Sequence, residues 1–230
     1  MEEKIVLKVE NLDVKLEGEE ILKDLSFEVK EGEVLVILGP NGAGKTVLLK
    51  TLLGILPYKG KIEWQKGIKI GYVPQRLPFI KDIPMAVKEF FDLKNVSGKE
   101  SEDILKSIGL RKDILEKKIG ELSSGQFQRI LVGWALASNP QVLLFDEPMT
   151  GIDIGGQESV YNLLEKLKKE RDLTILFVTH ELSIVYKLAD KVLCLSKRML
   201  CHGLPKEILT PERISELYSG EIKFYQHNHK

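Results

Sequence analysis

Cysteine is scarce in this chain: Cys194 and Cys201 are two among 230 residues. They form no CxxC pair and no disulfide framework. An excess of charge of one sign is also lacking. Thirty-four Lys and Arg cancel thirty-four Asp and Glu, so no global field draws the chain to nucleic acid or anionic lipid. Long apolar runs are missing too. The longest, Ile130 to Ala137, falls far short of the roughly 18 residues that a membrane span needs, so the chain is not itself a channel. The start, Met1 to Leu7, has neither the basic region nor the apolar core of a secretion signal. Internal repeats and low-complexity tracts do not occur. What remains is 43% hydrophobic and 30% charged, a globular balance. The expectation is an intracellular soluble protein of one large domain or two small ones.

Alternating apolar residues predict strands at Lys4 to Glu10 and Ile21 to Lys30, with a turn near Gly18. Val34 to Leu38 is a continuous apolar run between Gly32 and Gly39, the pattern of a strand buried on both faces of a parallel sheet. A helix follows at Thr46 to Leu53, stopped by Gly54. Short strands are expected at Lys61 to Gln65 and Ile68 to Val73. The chain then turns helical, with 3.6-type periodicity at Met85 to Leu93, Ser101 to Ile108 and Gly125 to Ala137. Ser101 and Ser123 are the expected N-caps. The α/β rhythm returns with strands at Gln141 to Phe145, Leu173 to Val178 and Val192 to Ser196. Helices are expected at Ile154 to Glu170, Glu181 to Ala189 and Pro211 to Tyr218. The reading is one α/β core split by a helical insertion of about 60 residues.

Gly39, Pro40, Asn41, Gly42, Ala43, Gly44, Lys45 and Thr46 fit GxxxxGK[ST] between a predicted strand and a predicted helix. Glycines let backbone N–H groups curl around a phosphate, and the helix N-terminus adds its positive dipole end. Lys45 would reach the β- and γ-phosphates, and the Thr46 hydroxyl would ligate Mg²⁺. A chance match occurs in roughly one chain of this length in a hundred, and the strand–loop–helix context makes accident rarer still. Val142 to Phe145 then leads an apolar strand into two carboxylates, Asp146 and Glu147. Asp146 is placed to hold Mg²⁺ and Glu147 to polarise an attacking water.

Three smaller signals accompany them. Leu122 to Gln126 precedes a helix, where Ser123, Ser124, Gly125 and Gln126 are able to cap a phosphate; alone, the segment is an ordinary N-cap. Gln75 follows a strand and is suited to Mg²⁺ or water, although a lone Gln is usually polar surface. His180 follows another strand, a place where a single His is more often structural than catalytic.

Taken in this order, these residues resemble the nucleotide-binding subunit of ABC transporters, over roughly Val6 to Tyr218. The resemblance implies a P-loop NTPase (RecA-like) α/β core with an N-terminal antiparallel β subdomain and a helical insertion. It implies one ABC ATP-binding domain over 1–230, with 1–75 and 140–230 as core and 76–139 as helical subdomain. It further implies ATP and Mg²⁺ as cofactors, and a head-to-tail dimer of two copies that sandwiches two ATP molecules. Each Leu122 to Gln126 segment would close the partner's site. Glu147 would be the general base, His180 would hold the γ-phosphate and water, Asp153 would cross the dimer interface, and Gln75 would link core to insertion. Three positions depart from the family pattern. Ser124 stands where Gly is usual. Leu16 replaces an aromatic, exchanging ring stacking on the base for apolar contact. Val47 replaces a hydroxyl residue, a loss of about 1 kcal/mol at the α-phosphate.

With no membrane span, transport would need separate permease subunits, docked against the helical insertion at the cytoplasmic face of the membrane. Gly151 to Tyr161, Ala189 to Ser196, Cys201 to Glu212 and Leu217-Tyr218 look like the zinc branch of metal-ion importers. An extracytoplasmic metal-binding protein would then be an indirect partner. A manganese and iron branch is close, and an exporter or cell-division complex would use the same engine. Nucleic acid is not an expected partner: the ABC-type ATPases of DNA repair insert long coiled coils, and no heptads are sustained here. Thiolate and imidazole suit Zn²⁺, which makes Cys194, Cys201, His202, His227 and His229 candidate ligands. Equally, Cys194 alternates with leucines as a buried apolar thiol would.

Overall fold

The structure, a computed structural model, describes residues 4–75, 84–148 and 154–218, and of 154–157, 159 and 171 the backbone alone. In chain order the elements are β1 (Ile5–Leu16), β2 (Glu19–Lys30), β3 (Val34–Leu38), α1 (Lys45–Leu52), β4 (Lys59–Trp64) and β5 (Ile70–Val73). Then come α2 (Val87–Asp92), α3 (Gly98–Ser107), two 3-10 turns at Lys112–Glu116 and Ile119–Glu121, and α4 (Ser124–Leu136). The chain continues through β6 (Val142–Asp146), α5 (Ile154–Arg171), β7 (Thr174–Thr179), α6 (Leu182–Leu188), β8 (Lys191–Ser196), β9 (Arg198–Gly203), α7 (Pro205–Ile208) and α8 (Pro211–Tyr218). Among the described residues no helix is long and apolar enough to cross a membrane.

Two compact units form. The first comprises Met1–Val6, Val29–Val34 and Trp64–Phe177. Within it β5, β6 and β7 lie side by side in that order, with β5 and β6 parallel and Tyr72 in register with Leu144. All five residues of β6 are buried, as the apolar run requires of a strand covered on both faces. Phe145 on β6 packs its ring 5.9 Å from that of Phe177 on β7.

The second unit comprises Leu7–Glu28, Leu35–Glu63 and Val178–Lys230. It holds most of the three-stranded sheet β2–β1–β4 and the strand run β3–β8–β9. β3 pairs parallel with β8, Leu38 opposite Cys194, and β9 turns back antiparallel. β1 and β2 join through Glu17 and Gly18, at φ 51° and 86°, the positive φ pair that a two-residue hairpin turn needs. β1 extends well past the expected end at Glu10. The backbone N–H of Asn11 (φ 48°) donates to Ser26 Oγ at 2.9 Å, and that of Asp24 (φ 49°) donates to Asp13 Oδ1 at 2.8 Å. Side chains thus satisfy the irregular backbone, and the polar stretch does not end the strand.

Two expectations are corrected. Ser101 does not cap α3; it is buried inside the helix and donates to the Gly98 carbonyl at 2.8 Å. The cap is Ser97, whose hydroxyl accepts from the Glu100 N–H at 3.2 Å while the Glu100 carboxylate accepts from the Ser97 N–H, a reciprocal capping box. Cys194 is not a free thiol. β9, a strand the apolar pattern did not announce, brings Cys201 opposite it at a Cα separation of 4.9 Å, and a disulfide joins the two.

Phe145→Ala removes a ring that is 0% exposed and leaves a cavity beside Phe177. A loss of about 3–5 kcal/mol in unfolding free energy is expected, measured by denaturant titration.

Candidate functional site

The phosphate-type loop grows out of β3. A Cβ at Gly39 would run into the backbone carbonyl of Leu195, so glycine alone lets the chain leave the strand at that point. Gly42 and Gly44 take φ values of 77° and 95°, closed to most L side chains. The Ala43 N–H donates to the Pro40 carbonyl at 3.2 Å, tightening the turn. The Lys197 N–H, at the tip of the β8–β9 hairpin, donates to the Ala43 carbonyl at 3.1 Å. The hairpin therefore braces the loop from behind.

α1 begins at Lys45 with Gly44 as its N-cap, and no side chain caps it. Amides of such a first turn point outward with the positive end of the helix dipole, an arrangement that favours an anion. Lys45 is 5% exposed, and its Nζ donates to the carbonyls of Gly39 and Pro40, both at 2.9 Å. Those bonds offset the cost of burying its charge. Asn41 and Gly42 are exposed, and Thr46 and Val47 are half-buried. The Val47 carbonyl accepts from the Thr51 hydroxyl at 2.8 Å. Leu16 ends β1, half-buried. His180 follows β7 and is exposed, and its carbonyl accepts from the Tyr218 hydroxyl at 2.8 Å.

The carboxylates belong to the first unit. Asp146 ends β6 at 1% exposure, and the Tyr72 hydroxyl donates to its Oδ2 at 3.2 Å. Burial and the neighbouring Asp146 charge both push the Tyr72 hydroxyl pKa up, so it is a proton donor at neutral pH. Glu147 takes φ 42°, unusual for a side chain of its size, and its Oε2 accepts from the Gln75 Nε2 at 3.1 Å. β5 and the residues just after it thus supply a donor to each carboxylate. Tyr72 was missed by the motif reading, because its place beside Asp146 is set by the pairing of β5 with β6 and by no motif.

Ser123 caps α4 as expected: its hydroxyl accepts from the Gln126 N–H at 3.2 Å, and Gln126 Oε1 accepts from the Ser123 N–H at 3.0 Å. Ser123 and Ser124 are exposed. A Cβ at Gly125 would meet nothing within 4 Å among the described residues, so packing against them does not require glycine there. Asp153 lies outside the described residues.

The Thr46 hydroxyl of the second unit, and the Asp146 carboxylate and Gln75 amide of the first, are each hard oxygen donors, the type that fits Mg²⁺. Among the described residues no group of three or more His, Cys, Asp or Glu stands together as a metal site.

Buried parallel strands, with a glycine loop leading from one of them into a helix, define a P-loop NTPase core of ABC ATPase architecture, a class that hydrolyses ATP. Residues 22–150 match the family model described as ABC transporter, and the chain belongs to that family as an ATP-binding subunit. It is 35% identical over 232 residues to the zinc import ATP-binding protein ZnuC of Yersinia pseudotuberculosis, covering 98% of this chain and 91% of the relative. A Thermotoga maritima protein described as "Probable metal transport system ATP-binding protein" is 38% identical over 224 residues, covering 93% and 90%. Among solved structures, the ADP conformation of MJ1267, an ATP-binding cassette of an ABC transporter, superposes with a TM-score of 0.83 at 25% identity, covering 94% of this chain and 99% of that one.

Gly39→Ala sets a methyl group against the Leu195 carbonyl, which belongs to backbone and gives way only if β8 shifts. We expect a stability loss of about 1–3 kcal/mol with weakened nucleotide binding, read by thermal melting and nucleotide titration.

Proposed function

We propose that this chain is the ATP-hydrolysing subunit that powers a membrane importer of divalent metal ions, with zinc as the cargo. The observation that carries the reading is the similarity to the zinc import relative over 98% of the chain, across both the loop and the carboxylates. Manganese or iron is the second reading, favoured by the metal transport relative at 38% identity. The cargo ion would pass through permease subunits, with this chain at their cytoplasmic face and an extracytoplasmic metal-binding protein delivering the ion.

In this reading the loop from Gly39 to Thr46 cradles the triphosphate, and Lys45 exchanges two carbonyls for the β- and γ-phosphates. Mg²⁺, when bound, neutralises phosphate charge; Thr46 and Asp146 would hold it, with Gln75 near by in role. Leu16 contacts the base and Val47 flanks the α-phosphate. Glu147 withdraws the proton from the attacking water, and His180 orients water and γ-phosphate. Two copies form a head-to-tail sandwich, in which Ser123, Ser124, Gly125 and Gln126 of one face the nucleotide of the other and Asp153 crosses between them. Support comes from Gly125, where no neighbour among the described residues explains the missing side chain, as close approach by a phosphate or a second copy would. The core is taken as 1–75 and 140–230, and 76–139 as the permease-facing helical part.

Glu147→Gln is expected to lower steady-state ATP turnover by about 10²–10⁴-fold while MgATP still binds and holds a stable dimer on size exclusion. Normal turnover would remove Glu147 from the role of base. For the cargo, the subunit is reconstituted with its native permease and binding protein, and turnover is compared with Zn²⁺-loaded and Mn²⁺-loaded binding protein. Stimulation by the zinc form is expected; preference for manganese overturns zinc in favour of the second reading.

A further inference from the structure

From the hydrogen bond between the Tyr72 hydroxyl and Asp146 Oδ2, we propose that Tyr72 is a positioning residue that sets the Mg²⁺ affinity of the nucleotide site by fixing the Asp146 carboxylate. The inference rests on the reading of Asp146 as a Mg²⁺ ligand.

The sequence places Tyr72 on β5, in parallel register with Leu144, two residues short of Asp146. From there its phenol reaches along the pair of strands to Oδ2 at 3.2 Å. Asp146 is 1% exposed, so its carboxylate has lost most of its water and relies on protein donors to satisfy its oxygens. A phenol is a suitable donor here. It is rigid, held by a strand, and neutral, so it stabilises the carboxylate without cancelling the charge that attracts a cation. Tyr72 holds one oxygen of the group, which limits its rotation. Partners of this kind typically alter metal affinity by about 10–100-fold when removed.

Gln75 acts differently. It donates to Glu147 rather than Asp146, so the two donors from β5 and its continuation divide the acid pair between them. A purely structural role for Tyr72, as a staple between β5 and β6, would change stability and leave the metal untouched.

The test uses the full-length subunit with ADP, Mn²⁺ bound in place of Mg²⁺ and followed by electron paramagnetic resonance, and ATP turnover against Mg²⁺ concentration. Tyr72→Phe is expected to weaken Mn²⁺ binding about tenfold and raise the half-saturating Mg²⁺ equally. Turnover at saturating Mg²⁺ and nucleotide affinity without metal should stay within about twofold. 3-Fluorotyrosine at position 72, which retains the hydroxyl, should restore metal affinity. If 3-fluorotyrosine weakens it as much as Phe does, the hydroxyl does not sustain the metal affinity, and the proposal is overturned. Asp146→Asn separates the two layers of argument. Adding Tyr72→Phe to it should change metal affinity no further. If Asp146→Asn weakens the metal and Tyr72→Phe does not, the role of Tyr72 falls and the metal site stands. If Asp146→Asn leaves the metal unaffected, the Mg²⁺ reading of Asp146 itself falls and takes this proposal with it.

Discussion

The closest constraint in the second unit is the approach of Gly39 to the Leu195 carbonyl, where no side chain fits. β3 and β8 are parallel and buried, and Leu38 lies opposite Cys194, so the chain leaving β3 emerges directly against the end of β8. Once that contact is made, the turn is forced into the left-handed angles of Gly42 and Gly44, and α1 must begin abruptly. A helix started by glycine has no side chain to cap its first amides. The features that define the loop thus follow from one steric fact at the ends of two paired strands. The Lys197 N–H reinforces it by holding the Ala43 carbonyl from the hairpin between β8 and β9.

The first unit solves a different problem, the burial of negative charge at the end of an apolar strand. Asp146 is nearly inaccessible and Glu147 sits in a backbone conformation that ordinary residues avoid. Neither would persist without nearby donors, and β5 and its continuation provide them: Tyr72 within the strand and Gln75 two residues past its end. A half-exposed surface pair would be worth little; a donor to a buried carboxylate is worth more, because removing it leaves the charge unsatisfied.

The parts of this fold legible in the sequence are those where one force dominates. Val34 to Leu38 and Val142 to Phe145 are continuous apolar runs, and each became a fully buried strand. The loop is legible because phosphate binding demands its glycines at fixed spacing. Legibility failed where long-range contacts decide. Arg198 to Gly203 has no alternation and follows a one-residue turn at Lys197, yet pairing with β8 makes it a strand and brings Cys201 to Cys194. The helix start at Ser97 was misread as Ser101 because apolar periodicity begins later than the capping box. Tyr72 carried no motif signal at all; its importance comes from register with β6, which only pairing reveals.

The resting state of Lys45 has an energetic consequence for the proposed reaction. A lysine in water must shed its hydration shell to grip a phosphate. Here most of that cost was met during folding, since the amine is already buried and bonded to the Gly39 and Pro40 carbonyls. Binding a triphosphate then exchanges two neutral acceptors for charged ones, and charge-assisted hydrogen bonds are roughly twice as strong as neutral ones. The exchange favours the nucleotide without a large reorganisation of the loop, because the donor's lost water is not lost again. The same bonds restrain the amine when no phosphate is present, so the loop keeps its shape through the empty part of each cycle. Preorganisation of this sort explains why the loop is built on two buried strands: a flexible segment would have to order itself at each turnover, at an entropic cost of about 1–2 kcal/mol per residue.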